Sequence, residues 1–341
     1  MPPELRRKRR LTAPEYSEGI LSGDRVILAR AITVIESELP SDADLAERIL
    51  ESVLPASGGA RRLGITGVPG AGKSTFIDAL GIHLTRECGE KTAVLSVDPS
   101  SPISGGSILG DKTRMARLSQ EPLAFIRPSP SRSHLGGVAR RTRETMLLCE
   151  AAGYRNMLVE TVGVGQSEVA VRSMTDFFLL LAVAGAGDEL QGIKRGIMEM
   201  VDAIAINKAD GDNLSRANRA ATDYRNALHL FPANADGWEP QVVTCSSTEG
   251  TGVVELWETV LRHRAQLKAN GYFRERRREQ SLNWMQELIQ QGLSDLFHRD
   301  DRIARRLPVL IAEVRQGHLT SFSAARELLG IFRRDCEKDP R

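Results

Sequence analysis

Cysteine is scarce: the four residues, Cys88, Cys149, Cys245 and Cys336, are far apart and form no CxxC pair. That spacing argues against a disulfide framework and a thiolate zinc cluster, and it suits a reducing compartment. Histidine is also sparse, with His83, His134, His229, His263, His298 and His318 scattered singly, so no tract announces metal handling. Charge of one sign is lacking too, because 46 Lys and Arg nearly balance 44 Asp and Glu for a net charge of +2. No whole-molecule field therefore calls for nucleic acid. The local exceptions, Arg6 to Arg10 and Arg274 to Arg278, read best as solvated faces. Long apolar runs are absent: the longest, Phe177 to Ala184, is far too short to span a bilayer, and no signal-peptide core fills Leu11 to Ile20. The expectation is a cytoplasmic chain with neither a nucleic-acid nor a membrane partner.

What is present is enough material for a core, at 341 residues and 41% hydrophobic content, in one large domain with appendages or in two domains. Residues 14 to 54 read as helices, with Val26, Ile27, Ala29, Ile32, Val34 and Ile35 near helical spacing and Ser41 with Asp42 as an N-cap before Leu45 to Leu54. After a linker at Ala56 to Ala60 the pattern changes to short apolar runs separated by helix-length segments. The runs are Leu63 to Thr66, Thr92 to Val97, Leu123 to Ile126, Met157 to Val159, Phe177 to Val183, Ala203 to Ile206 and Val242 to Cys245. Strands that are apolar on both faces and alternate with helices predict an α/β fold, with a mainly parallel sheet flanked by helices and ligands at the carboxyl ends of the strands. From about residue 253 the helical period returns, and Leu282, Met285, Leu288, Ile289, Leu293, Leu296 and Phe297 make one stripe, for its own domain or for a subunit interface. The expected divisions are a helical extension over 1–58, an α/β domain over 59–265 and a C-terminal helical region over 266–341.

The first run leads into Gly67-Val68-Pro69-Gly70-Ala71-Gly72-Lys73-Ser74 and then Thr75 to Leu80, in the order strand, glycine loop, helix. Glycines let backbone N–H groups turn inward around phosphates, the helix N-terminus adds partial positive charge, and Lys73 reaches the β- and γ-phosphates. The Ser74 hydroxyl is placed to ligate Mg²⁺. A ligand-free glycine turn would gain nothing from a lysine at that position.

The sixth run leads into Asn207-Lys208-Ala209-Asp210. A carboxylate at Asp210 can accept from both N1–H and the exocyclic amine of guanine, which adenine does not offer in that geometry. Asn207 and the Lys208 stem would buttress the loop and cover the ring. Alone this tetrapeptide is an ordinary turn composition; after a strand and downstream of a phosphate loop it specifies a guanine nucleotide. Thr244-Cys245-Ser246-Ser247, with Ser246 the candidate, is the usual place for a backbone N–H to meet the guanine oxygen, although as sequence it could be any loop. Asp98 and Glu160 end two further strands, facing the nucleotide, where either can hold the Mg²⁺ shell, with a helix cap as the alternative for each. Gly163 N–H can bond the γ-phosphate, so Gly163 to Gln166 is a candidate switch. Pro99 to Lys112, which includes Asp111, reads as a second switch, and Ala184 to Lys194 as a third. On the residues alone Lys194 is better explained by solvation than by contact with phosphate or an acidic residue.

Taken together these segments resemble one family: the G-protein chaperones of adenosylcobalamin-dependent acyl-CoA mutases, called MeaB in bacteria and MMAA in mitochondria, and formerly ArgK transport kinases. The likeness runs over residues 63 to 210 through the phosphate loop, Val-Asp-Pro-Ser-Ser, Ile-Leu-Gly-Asp-Lys-Thr-Arg-Met, Phe-Ile-Arg-Pro-Ser-Pro, Leu-Gly-Gly-Val-Ala, Val-Glu-Thr-Val-Gly-Val-Gly-Gln-Ser-Glu, Gly-Asp-Glu-Leu-Gln-Gly-Ile-Lys and Asn-Lys-Ala-Asp. The resemblance implies a homodimeric GTPase of the SIMIBI class of P-loop G domains. Such a protein binds a mutase of the methylmalonyl-CoA type, gates cobalamin loading and protects the radical enzyme. It also implies that Asp98, Asp111 and Glu160 are metal and switch acids, that Lys194 belongs to an extra switch loop, and that the C-terminal helices dimerise. Ser133 and Ala184 depart from the family pattern, which favours glycine and proline there, and they bear on loop geometry alone. The competing readings are a P-loop kinase, for which no acceptor-binding motif is visible, and a nickel-enzyme metallochaperone GTPase, against which the scattered histidines speak.

Overall fold

Each of the seven apolar runs forms a strand: β1 (Arg61–Gly67), β2 (Thr92–Val97), β3 (Ala124–Arg127), β4 (Asn156–Thr161), β5 (Phe177–Val183), β6 (Ala203–Asn207) and β7 (Gln241–Thr244). The structure, a computed structural model, describes residues 9–37, 39–97, 114–128, 135–161, 167–184 and 195–336. The strands pair in the order β3-β2-β4-β1-β5-β6-β7, and every pairing is parallel. Continuous apolar runs follow from burial on both faces, since alternate residues of β5 enter different cores. Phe178, Leu180 and Ala182 join one core, and Phe177, Leu179 and Leu181 the other.

The first face is covered by helices α1 (Ala13–Leu21), α2 (Arg25–Glu36), α3 (Pro40–Val53), α5 (Leu135–Ala151), α6 (Ser167–Arg172) and α8 (Leu214–Leu228), and the other by α4 (Lys73–Ile82) and α9 (Val253–Ala269). Helix α7 (Arg195–Met198) precedes β6, and α10 (Tyr272–Arg299), α11 (Asp301–Arg315) and α12 (Ser321–Cys336) complete the order. No helix is long and apolar enough to cross a membrane among the described residues.

The N-terminal helices begin where capping chemistry allows. Thr12 and Glu15 form a reciprocal capping box at α1, and Asp24 accepts from the N–H groups of Val26 (2.8 Å) and Ile27 (3.1 Å) at α2. Two sequence expectations shift here. The buried stripe of α2 is Leu28, Ala31, Ile32 and Ile35, an i, i+3, i+4, i+7 set, while Val26 is 67% exposed. Helix α3 starts at Pro40, earlier than Ser41 and Asp42 would place it, with no side-chain capping bond. Proline costs nothing there because the first N–H of a helix has no partner within it. Asp42 instead accepts a hydrogen bond from Arg10.

Contacts divide the chain between Gln280 and Ser281, inside α10, and the N-terminal helices fall in the same unit as the sheet. What ties the start of α10 to that unit is a buried charge cluster at the amino ends of the strands. Asp176 accepts from Arg277 Nε (2.5 Å) and Nη2 (2.7 Å) and from the N–H of Arg62 (3.0 Å). Arg276 donates to the Asp176 carbonyl (2.7 Å) and to Asp236 (2.9 Å). The Arg274 to Arg278 run is therefore not wholly a solvated face: two of its arginines answer carboxylates far away in sequence, which a local charge count could not reveal.

Burial alone would raise the Asp176 pKa, but Arg277 and the Arg62 N–H outweigh it and hold the carboxyl below its usual value. A depressed folded-state pKa contributes stability above the unfolded value of about 3.9, and loses it as pH falls through the folded one. Asp176→Ala should destabilise the protein by about 3 kcal/mol at neutral pH, because it leaves the buried Arg277 guanidinium without its carboxylate and the Arg62 N–H without its acceptor. Urea midpoints at pH 7 and at about pH 2, below the unfolded pKa, check this, and a loss that does not shrink at the lower pH would refute it.

In the second unit, α11 and α12 close a small core of Ile303, Leu310, Ala324 and Leu328, with Phe297 against Phe332 at 5.5 Å. Leu282, Met285, Ile289, Leu293 and Leu296 of α10 are all more than half exposed. Of the stripe read from the sequence, Phe297 packs inward and these five do not.

Candidate nucleotide site

β1 lies between β4 and β5 at the middle of the sheet, so its carboxyl end opens on the point where connections diverge to either side. The phosphate loop begins there. Gly67 has φ of +152°, and a Cβ on it would come 2.3 Å from the Leu181 carbonyl oxygen of β5. Gly72, at φ +88°, is the N-cap of α4, and a Cβ would meet Asn207 Nδ2 at 2.6 Å. Both positions require glycine for a geometric reason, the one against the sheet and the other against the guanine motif.

Lys73 is the first residue of α4 and is 7% exposed. Its ammonium donates to the carbonyls of Gly67 (2.7 Å) and Val68 (3.3 Å), so the loop that would hold phosphate holds the lysine in place. Three N–H donors let one ammonium keep a carbonyl and still reach phosphate oxygens. Burial pulls its pKa below the usual value; the carboxylates of Glu160 and Glu168 oppose that shift, and Arg114 adds to it. Ser74 Oγ donates to Glu160 Oε1 at 3.2 Å, joining the start of α4 to the end of β4. A hydroxyl and a carboxylate in contact are hard oxygen donors of the kind Mg²⁺ takes. Pro69, Gly70 and Thr75 lie on the exposed side of the loop and Ala71 is buried.

The guanine motif is braced before any base arrives. Asn207 Nδ2 donates to the Ala71 carbonyl at 2.8 Å, and its Oδ1 accepts from the Ser247 N–H (3.1 Å) and hydroxyl (2.8 Å). One side chain thus locks β6, the phosphate loop and the loop after β7 together. Lys208 is the non-glycine residue with positive φ, at 58°, among the described residues, and its side chain is exposed. Asp210 accepts a short hydrogen bond from the Ser246 hydroxyl. The Ser246 N–H donates to the Thr251 carbonyl at 2.9 Å, so in this structure Ser246 meets the motif through its side chain.

Asp98, Asp111, Gly163 and Lys194 lie outside the described residues, as do most of the three candidate switch segments. Sequence reasoning missed four participants. The buried hydroxyls of Thr161 and Thr66 bond at 2.9 Å between the ends of β4 and β1, while Glu168, 1% exposed on α6, and Arg114 act electrostatically on Lys73. Glu168 sits at the end of the quoted Val-Gly-Val-Gly-Gln-Ser-Glu run, which is the signal that could have singled it out. Among the described residues no group of three His, Cys, Asp or Glu side chains is disposed to hold a metal ion.

The phosphate loop, the lysine and the guanine motif form one hydrogen-bonded unit, and comparison with known proteins gives it a family. The family described as methylmalonyl Co-A mutase-associated GTPase MeaB matches residues 28–302. The chain belongs to the MeaB family of GTPases. It is 48% identical over 291 residues to GTPase ArgK of Escherichia coli, covering 85% of this chain and 88% of that one. It is 43% identical to the mitochondrial methylmalonic aciduria type A homolog of mouse, over 92% of this chain and 78% of that one. A crystal structure of a LAO/AO transport system kinase superposes with a TM-score of 0.74 at 37% identity, covering 95% of this chain and 99% of that one.

A MeaB GTPase binds guanine nucleotide and hydrolyses GTP to GDP and phosphate, and the geometry shows what this chain brings to that reaction. Little covalent chemistry falls to the protein in phosphoryl transfer; positioning and charge stabilisation do the work. The Lys73 ammonium is already desolvated and fixed by the loop carbonyls, so a charge placed there would need little reorganisation during the reaction.

Proposed function

We propose that this MeaB GTPase binds an adenosylcobalamin-dependent acyl-CoA mutase of the methylmalonyl-CoA type in the cytoplasm. Its nucleotide state gates cofactor loading and protects or reactivates the mutase. The observation that carries this reading is the match to the mutase-associated family over 28–302, supported by a relative named for methylmalonic aciduria. Ser74 and Glu160, with Asp98 and Asp111, would hold Mg²⁺, which would supply charge neutralisation for phosphoryl transfer. Lys194 completes a switch that reports the γ-phosphate to the mutase. The chain works as a homodimer through the helical region over 266–341. The exposed stripe from Leu282 to Leu296 supports that arrangement, since five large apolar side chains more than half exposed on one helix mark an interaction surface. Light scattering of the full chain reads the subunit count, and a monomer at micromolar concentration would overturn the dimer.

The test of the chaperone reading is GTP turnover with and without each cobalamin-dependent mutase of the source organism. A cognate mutase should raise slow intrinsic hydrolysis by about tenfold or more, as partner-supplied elements do for other G proteins. Turnover indifferent to every such mutase would overturn it. Transfer of the γ-phosphate to an added acceptor, in place of release to water, would favour the kinase reading.

A further inference from the structure

A cavity of about 570 Å³ opens at the amino end of β1, lined by Gly59, Arg61, Tyr154, Arg155, Arg264 and Lys268 among others. Six residue steps of strand, about 20 Å at the usual rise, separate Arg61 from Gly67 of the phosphate loop, so the two sites cannot share a ligand.

The charges on its wall do not cancel. Its one lining carboxylate, Glu150, is turned away: it accepts from Arg62 Nε at 2.7 Å and from the Gly58 N–H, with its side chain 1% exposed. Arg61 is satisfied by Glu90 (2.7 Å) and the Asn156 side-chain oxygen (2.9 Å). Arg155, Arg264 and Lys268 form no ion pair with a carboxylate among the described residues, although Arg155 lies near enough to Glu90 to help hold that carboxyl below its usual pKa. Arg264 is half-buried and fixed: Nη2 donates to the Gly59 carbonyl at 3.0 Å and its guanidinium lies 5.1 Å from the centre of the Phe273 ring. The Lys268 ammonium packs 5.6 Å from the same ring. Burial pushes the Arg264 pKa down, Arg61 and Arg277 add to the shift, and Asp176 and Glu150 oppose it. Holding cations together, one of them partly desolvated, is unfavourable unless an anion is to be met. The volume falls in the range of small-molecule sites, and guanidinium groups match phosphate oxygens in geometry.

We propose that this cavity is a second anion site, separate from the GTPase centre, that binds a small molecule carrying a diphosphate or two phosphate groups through Arg155, Arg264 and Lys268. All three cations line the cavity, and Arg155 and Lys268 are exposed, so their side chains are free to reorient toward a bound ligand.

The test uses the full chain saturated with GDP and Mg²⁺, so that the phosphate loop is filled, titrated calorimetrically with inorganic pyrophosphate and, in a second arm, with ADP. One equivalent of either should bind. The double variant Arg155→Glu/Lys268→Glu, altered only at exposed side chains, should weaken that binding by tenfold or more while GTP turnover and GDP affinity stay unchanged. Binding of pyrophosphate but not ADP would place the recognition in the phosphates alone, and binding of ADP but not pyrophosphate in a nucleoside diphosphate; both support the site. Failure of both probes to bind the GDP-saturated chain, or undiminished binding by the double variant, would overturn it.

Discussion

Lys73→Ala should lower single-turnover GTP hydrolysis by about 10²–10³-fold or more, and weaken GTP affinity as well, while the protein stays folded. The expectation rests on where the ammonium is. It is almost fully buried and tethered to the Gly67 and Val68 carbonyls, so little rearrangement is needed to bring it against the phosphates. Folding should not suffer, because the substitution removes a desolvated charge whose partners here are loop carbonyls, and the helix keeps a good helix former at its first residue. Lys73→Arg should not restore activity, since a planar guanidinium cannot occupy the space of an ammonium inside a closed loop. Phosphate release from a single turnover, beside the circular dichroism of the variant, checks both halves. Turnover within about twofold of the parent would remove the lysine from the mechanism.

The part of this site that was legible in the sequence is the part made of contiguous residues. Gly67 to Ser74 and Asn207 to Asp210 are local runs whose glycines and polar side chains have one economical explanation each, and the strand before each run could be read from its apolar pattern. What the sequence could not supply were contacts between distant segments. Nothing in the run Arg274 to Arg278 says that Arg277 answers Asp176, a hundred residues earlier, or that Asn207 reaches back to the Ala71 carbonyl. The stripe on α2 was only partly legible for a related reason: Ile32 and Ile35 are buried and Ile27, Ala29 and Val34 pack against the core, but Val26 is exposed while Leu28 and Ala31, no more apolar, are buried. Ser246 illustrates a finer failure. Its place after β7 suggested a backbone donor, yet the turn to Thr251 takes that N–H and leaves the hydroxyl to hold Asp210.

That hydroxyl bears on the second large effect. Asp210→Asn should lower the ratio of GTP affinity to XTP affinity by about 10⁴-fold or more, the scale on which a site built for particular hydrogen bonds rejects a base that cannot complete them. In the parent, the carboxylate would accept from both N1–H and the exocyclic amine of guanine. An asparagine oxygen can still accept from N1–H, but its amide would point N–H groups at the guanine amine, leaving two donors face to face. Xanthine carries a carbonyl at that position, so the same amide donates to it and the pair is complete again. Ser246 can donate to either side chain, which keeps the loop in place and confines the change to the base. Asn207, which bonds the phosphate loop and Ser247, is untouched, so the variant should hydrolyse saturating XTP at a rate within several-fold of the parent with GTP. Loss of activity with both nucleotides would mean that Asp210 supports the loop and does not read the base, and an unchanged preference for GTP would place base recognition elsewhere.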